Sequence, residues 1–143
     1  MLFRSSYYPN DAVKFNYFTT AKGILEKVNT HRGDHDFIIK PELLDIIKRK
    51  DFGKYAASSD STMNVCFISN NDITGGNSGS AMFNSKGELI GLAFDGNWEV
   101  MSSDLQYNSQ LQRCIGVDIR YVLFLIDKLG KASNIINELK IIH

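Results

Sequence analysis

Thr74-Gly75-Gly76-Asn77-Ser78-Gly79-Ser80-Ala81 is the stretch around which the rest of the chain is read. Ser78 lies between glycines, with the apolar runs Met63-Asn64-Val65-Cys66-Phe67-Ile68 before it and Ala81-Met82-Phe83 after it. A nucleophile needs this arrangement when its backbone must come close to a substrate. Gly76 and Gly79 permit backbone angles denied to residues with a Cβ, and they leave room beside the Ser78 hydroxyl. The same letters also fit a glycine-serine turn that joins two strands and carries no nucleophile, so the octapeptide alone leaves both readings open. A strand-to-helix nucleophile elbow fits less well. It requires glycine two residues after the serine and then a helix, whereas this chain has Ser80 and a following strand.

Working outward, the run from Met63 to Ile68 predicts a strand that leads into the serine loop from a rigid element. Downstream, Ala81-Met82-Phe83 turns through Asn84-Ser85-Lys86-Gly87 into Glu88-Leu89-Ile90-Gly91-Leu92-Ala93-Phe94, which predicts a hairpin. Apolar residues on both faces of its second run predict a core strand. Asp95 to Gln112 is polar with Trp98 and Tyr107 embedded, as expected of a long loop able to line a cleft. Strand character resumes from Arg113 to Val117. Asp118 is placed to cap a helix containing Ile119, Val122, Leu123, Phe124, Leu125, Ile126 and Leu129, with Gly130 as its stop. A second helix from about Ser133 is expected to bury Ile135, Ile136 and Leu139.

Upstream, Pro9-Asn10-Asp11 predicts a turn, and residues 12 to 18 alternate Val13, Phe15 and Tyr17 with Lys14 and Asn16 at strand period. Thr19 or Thr20 then caps a helix to about Val28 with Ile24 and Leu25 inward. Asn29 to Asp36 reads as exposed loop. Pro41 opens a helix to about Lys50 whose apolar side is Leu43, Leu44, Ile46 and Ile47, with Gly53 as its stop and a polar loop from Ser58 to Thr62.

The 143 residues, 43% of them hydrophobic, predict one soluble domain spanning 1–143, with a helical segment at 118–143. Sixteen basic residues balance sixteen acidic ones, so no nucleic-acid partner or anionic membrane surface is expected. Lys48-Arg49-Lys50 sits beside Glu42, Asp45 and Asp51 and reads as a solvated helix end. No apolar run approaches the roughly 20 residues that span a bilayer, and the stretch Met1 to Ser6 lacks the apolar core of an export signal. Cys66 and Cys114, each in an apolar run, are expected to be buried free thiols, with a disulfide as the alternative. His31 and His35 fall in the polar Thr30-His31-Arg32-Gly33-Asp34-His35-Asp36 segment and, like His143, are assigned neither a catalytic nor a metal-binding role. No metal or cofactor is expected.

Three further segments give the serine loop a context. Asp72-Ile73-Thr74-Gly75-Gly76-Asn77-Ser78-Gly79-Ser80, Gly91-Leu92-Ala93-Phe94-Asp95-Gly96-Asn97-Trp98-Glu99, and Gln112-Arg113 with Val117-Asp118-Ile119-Arg120-Tyr121-Val122-Leu123-Phe124 together resemble the bacterial serine dipeptidyl-peptidases of the dipeptidyl-peptidase 7 and 11 group. Pro9-Asn10-Asp11-Ala12-Val13 and Asp51-Phe52-Gly53-Lys54-Tyr55-Ala56 extend the likeness nearly end to end. The resemblance implies a mainly β fold with helices: the second half of a chymotrypsin-like double β-barrel, closed by C-terminal helices and incomplete without an N-terminal barrel half as partner.

By the same resemblance the full-length enzyme is a hydrolase that releases dipeptides from peptide N-termini. Ser78 is implied as nucleophile, the Gly76 and Ser78 N–H groups as oxyanion hole, and Asp95 as anchor of the substrate's terminal ammonium. Gly96 stands in the specificity pocket, where relatives that take acidic second residues carry arginine, so apolar second residues are expected here. Ala81 replaces the family's usual proline, and the family's histidine and aspartate partner have no counterpart in this chain. The chain alone is therefore expected to be inactive; a non-catalytic peptide-binding remnant or a truncated gene product is the alternative. The family's export to periplasm or cell surface is implied for the full-length enzyme only.

Overall fold

The computed structural model describes residues 6–8, 13–57 and 62–142. The expected turn at Pro9-Asn10-Asp11, residue Ala12, the loop positions 58–61 and His143 lie outside the described residues. The chain divides into two compact units, the first comprising residues 1–19 and 65–119 and the second residues 20–64 and 120–143.

The first unit is built on a sheet. Two short strands, β1 (Ser6–Tyr8) and β2 (Val13–Phe15), pair antiparallel on their own. The predicted strand over 12 to 18 is thus broken: Asn16 and Tyr17 form a bend, and β3 (Phe18–Thr20) enters a different sheet. That sheet also contains β4 (Asn64–Ser69), β5 (Ala81–Phe83), β6 (Leu89–Gly96) and β7 (Cys114–Asp118), in the order β3-β4-β7-β6-β5. The pairs β4–β7, β7–β6 and β6–β5 are antiparallel. The sheet is open, with β3 and β5 at its edges, so these strands by themselves form a β layer and do not close a barrel.

Its packing explains why two of its strands carry glycine. Phe67 on β4 pairs across from Gly116 on β7, which pairs in turn with Ala93 on β6, and Met82 on β5 pairs with Gly91 on β6. A Cβ on Gly91 would meet the Phe67 ring and the Val117 carbonyl at 2.6 Å, and one on Gly116 would meet Met82 Sδ at 2.5 Å. The two glycines let Phe67 and Met82 lie flat on the sheet, where they join Ile73, Ala93 and Cys114 in one buried cluster. The hairpin forms as read, but its second strand is buried on one face only. Gly91 and Ala93 are buried, whereas Leu89 and Phe94 remain about 40% exposed. Cys66 and Cys114 are free thiols, partly and fully buried, and burial pushes both above their ordinary pKa.

The second unit is helical. Helix α1 (Ala21–Thr30) outruns its expected end by two residues, and Thr20 occupies its N-cap without a side-chain hydrogen bond. Helix α2 (Pro41–Arg49) starts at Pro41 as read and stops at Lys50, which adopts φ 55°, while Gly53 opens a later short turn. Helix α3 (Ile119–Phe124) continues as one π-helical turn over Leu125–Leu129. Gly130 caps it at an ordinary negative φ, and the left-handed residue is Lys131. A Cβ on Gly130 would lie 2.8 Å from the Ile126 carbonyl, so close approach is what keeps glycine there. In helix α4 (Ser133–Glu138) only Ile136 is buried, while Ile135 and Leu139 are nearly half exposed, contrary to expectation.

The core of this unit is Ala21, Ile47, Phe52, Tyr55, Met63 and Phe124, flanked by Ile24, Leu25, Leu43 and Ile46. Phe124 and Met63 are fully buried, each removal from water being worth about 2 kcal/mol. Among the described residues no helix is long and apolar enough to cross a membrane.

Candidate functional site

The serine loop joins β4 to β5, and its shape is set by bonds within it. Thr74 N–H donates to Asn77 Oδ1 at 2.9 Å, Asn77 N–H to the Thr74 carbonyl at 3.2 Å, and Ser80 N–H to the Asn77 carbonyl at 2.9 Å. Gly76 and Gly79 sit at φ 92° and 88°, angles that favour glycine, which is the structural reason for the spacing seen in the sequence. Gly79 N–H donates to the Ala93 carbonyl at 2.7 Å and Ala93 N–H to the Ser80 carbonyl at 2.9 Å, stitching the loop to β6. Between these ties Ser78 is exposed. The N–H groups of Gly76 and Ser78 have no partner among the described residues. Two donors left unpaired beside an exposed hydroxyl are what an oxyanion would need.

Strand β6 supplies the opposite wall. Its register against β7 shifts between Ala93 and Asp95, so Phe94 is the extra residue of a bulge. Bulges re-aim side chains and carbonyls, and this one turns the Phe94 carbonyl to accept the Ser78 hydroxyl at 3.2 Å. Asp95 is exposed, and its Oδ1 accepts the Gly96 N–H at 2.8 Å. Ser78, Asp95 and Gly96 line one cleft of about 250 Å³, together with Ile73, Thr74, Gly75, Phe94, Val100, Met101, Ser103 and Asp104.

The last four of these were not singled out in the sequence. Trp98 and Tyr107 were the residues noted in that segment, yet neither lines the cleft: Trp98 is 83% exposed, and the Tyr107 hydroxyl donates to the Asn70 carbonyl. Burial, with the Asp72 charge added, pushes the Tyr107 phenol above its ordinary pKa. The cleft wall is instead a 3₁₀ turn, Trp98–Ser102, held by two buried polar residues. Gln112 Nε2 donates to the Glu99 carbonyl at 3.1 Å, Ser102 Oγ at 3.0 Å and the Gln106 carbonyl at 3.3 Å, while Oε1 accepts the Asn108 N–H at 2.6 Å. The Arg113 guanidinium donates to the carbonyls of Ser109, Gln110 and Gln112 at 2.7–3.0 Å. Thr74 Oγ1 donates to Asp104 Oδ1 at 3.3 Å, linking the wall back to the serine loop. The signal for this wall was a glutamine and an arginine standing just before a strand, which periodicity does not mark.

No histidine lines the cleft. His31, at the end of α1, stacks on Phe37 at 4.1 Å, and its Nδ1 lies 2.9 Å from Thr30 Oγ1, while the His35 side chain is 97% exposed. No cluster of three or more histidine, cysteine or acidic side chains suited to a metal occurs among the described residues.

Known proteins share this fold and sequence. Dipeptidyl-peptidase 7 of Porphyromonas endodontalis is 51% identical over 136 residues, covering 95% of this chain and 16% of that protein. The Asp/Glu-specific dipeptidyl-peptidase of Porphyromonas gingivalis is 45% identical over 95% of this chain and 18% of that protein. The crystal structure of Porphyromonas endodontalis DPP11 in complex with dipeptide Arg-Glu superposes with a TM-score of 0.86 at 40% identity, over 94% of this chain and 19% of that one. The chain thus spans less than a fifth of the length of these relatives. The Peptidase S46 family model matches residues 5–141, and the chain belongs to that family.

Proposed function

We propose that this chain is the nucleophile-bearing, C-terminal portion of a serine-type dipeptidyl-peptidase. The observation that carries the reading is the convergence of Ser78 and Asp95 on one cleft, with the N–H groups of Gly76 and Ser78 unpaired in the loop that delivers the serine. Asp95 holds the substrate's α-ammonium, and the second residue's side chain enters the cleft. Its carbonyl carbon then lies beside Ser78 Oγ. Attack forms the Oγ–C bond and places negative charge on the carbonyl oxygen, which the Gly76 and Ser78 N–H groups receive. The hydroxyl proton must leave to a base, then reach the departing amine as the C–N bond breaks; water later hydrolyses the ester. Gly96 contributes no charge, and Ile73, Phe94, Val100 and Met101 give an otherwise polar cleft an apolar side, which supports a preference for apolar second residues.

That base is supplied from outside this chain, by the N-terminal barrel half of the full-length enzyme, itself exported to periplasm or cell surface. A second reading has one observation in its favour: with no histidine in the cleft, the Ser78 hydroxyl donates to the Phe94 carbonyl, so the chain alone would bind peptides without cleaving them. The test is an assay with dipeptidyl fluorogenic substrates on the purified chain, and again after adding the separately expressed remainder of a dipeptidyl-peptidase 7. Turnover is expected only with the complement and is abolished by Ser78→Ala, since loss of a triad member costs several orders of magnitude. Turnover by the chain alone would overturn the external base; complemented turnover that survives Ser78→Ala would overturn the nucleophile.

A further inference from the structure

Gly96 lines the cleft, and what stands in front of it is Val100. A Cβ on Gly96 would lie 2.5 Å from Val100 Cγ1, 2.9 Å from its Cβ and 3.2 Å from Cγ2. The valine cannot easily yield. It is β-branched and stiff about χ1. Its N–H donates to the Asn97 carbonyl at 3.0 Å and its carbonyl accepts Ser103 N–H at 2.8 Å, so the backbone is tied on both sides. Asn97 is itself fixed, accepting Arg113 N–H at 2.7 Å and donating to the Leu111 carbonyl at 2.8 Å. The Val100 side chain also packs against the buried cluster of the sheet. Glycine at 96 and valine at 100 are therefore one steric unit: with Val100 present, no side chain can emerge from position 96.

We propose that Val100 is a specificity-determining residue of this cleft, because its side chain both forms the apolar wall met by a substrate's second residue and bars any side chain, charged or not, from position 96. The proposal deepens the dipeptide-binding reading above and rests on it. Charge at position 96 alone cannot then convert the preference. Gly96→Arg must displace Val100 and deform the wall, whereas Val100→Gly, which removes the Cβ 2.9 Å away together with the methyls, combined with Gly96→Arg gives the arginine a way into the cleft, where it can meet a substrate carboxylate.

Two measurements on the 143-residue chain test this. The first is a thermal cycle with the smallest possible side chain. Gly96→Ala is expected to lower the melting temperature by several degrees when Val100 is present and by much less in a Val100→Gly background. Equal losses in both backgrounds would overturn the steric coupling, and neither variant requires a large group to be accommodated.

The second is an amide-shift titration with the dipeptides Gly-Leu and Gly-Glu, read at Gly75, Ser78 and Gly96. The native chain is expected to bind Gly-Leu at least about tenfold more tightly, because a carboxylate taken into an apolar wall lacks a partner. Val100→Gly with Gly96→Arg is expected to reverse the order, and Gly96→Arg alone is not. Binding by the native chain with an order that the double variant leaves unchanged overturns the role of Val100 while leaving the dipeptide-binding reading intact. No shift at these residues with either dipeptide in the native chain overturns that reading and the specificity role with it, whatever the thermal cycle gives.

Discussion

Replacing Gln112 by leucine removes a side chain that is 2% exposed and whose amide makes four hydrogen bonds to the cleft wall. Leucine fills nearly the same volume, so the cavity contribution is small, and the loss is that of the bonds. A net intramolecular hydrogen bond is worth about 1 kcal/mol, which puts an upper limit near 4 kcal/mol on the four. Three of the partner residues, Ser102, Gln106 and Asn108, are exposed and can turn to water, whereas Glu99 is half-buried. The expected cost is therefore about 2–3 kcal/mol, or roughly 6–12 °C in Tm for a protein of this size. Urea titration measures the total, and amide exchange locates it. Val100, Ser103 and Gln106, whose N–H groups bond within the wall, should lose protection while β4 and β7 keep theirs. Gln112→Glu supplies an independent readout. An ionised carboxylate would face three acceptor oxygens, whereas the protonated acid can donate to one, so this variant should be more stable in acid than at neutral pH. A Gln112→Leu loss below about 0.5 kcal/mol, or exchange that rises evenly over the sheet, would refute the claim that this residue holds the wall.

Two further outcomes test the packing of each unit. The Tyr55 hydroxyl donates to Asp127 Oδ2 at 2.9 Å, and burial, reinforced by Asp127, pushes its pKa from 10.0 up to about 12. The native state thus holds the phenolic proton more tightly than the unfolded chain, so this contribution is complete below pH 10 and declines between pH 10 and about 12. Tyr55→Phe should cost about 1 kcal/mol at pH 7 and show a shallower alkaline decline in pH-dependent melts; parallel profiles would count against it. Gly91→Ala drives a methyl to 2.6 Å from the Phe67 ring and the Val117 carbonyl, and should cost about 3 kcal/mol by denaturant titration; a loss near zero would show that the sheet flexes where the close approach says it cannot.

Local pattern carried the elements whose cause is local. Pro41 fixes the first turn of α2, the four residues Asn84 to Gly87 fix the hairpin, and the apolar runs on either side of the Ser78 loop give two strands with a loop between them. The failures have longer-range causes. Lys50 and Lys131, at φ 55° and 53°, accept the left-handed angle that Gly53 and Gly130 were expected to provide. Nothing in their side chains announces this; what marks the turns is the backbone closure after each helix, Asp51 N–H to the Ile46 carbonyl and Ala132 N–H to the Ile126 carbonyl. Tyr17 looked like part of a strand, yet its carbonyl accepts Ile68 N–H at 2.8 Å from β4, a pairing across 51 positions that redirects the chain. Ile135 and Leu139 have the spacing of an apolar face that the described residues leave about half exposed.

The same contrast runs through the site. Ser78, Gly76, Asp95 and Gly96 were named from the sequence, and Ser78, Asp95 and Gly96 meet in the cleft because the serine loop is stitched to β6 through the backbone of Gly79, Ser80 and Ala93. The bulge at Phe94 is legible only once β6 has a partner, since a single extra residue is defined by the strand it fails to match. That bulge places a carbonyl within reach of the serine hydroxyl and turns Asp95 and Gly96 toward the same space. The loop's own bonds fix the serine from one side and the Gln112 network fixes the wall from the other. On the proposed reading, the nucleophile, the oxyanion donors and the ammonium anchor are thus preorganised within one unit of this chain, and completing the chemistry requires a base brought to Ser78 without rebuilding the cleft. A complement that restored activity only by reshaping the 99–106 wall would contradict this. Amide exchange at Val100 and Ser103 that stays unchanged on complementation is what a preorganised cleft requires.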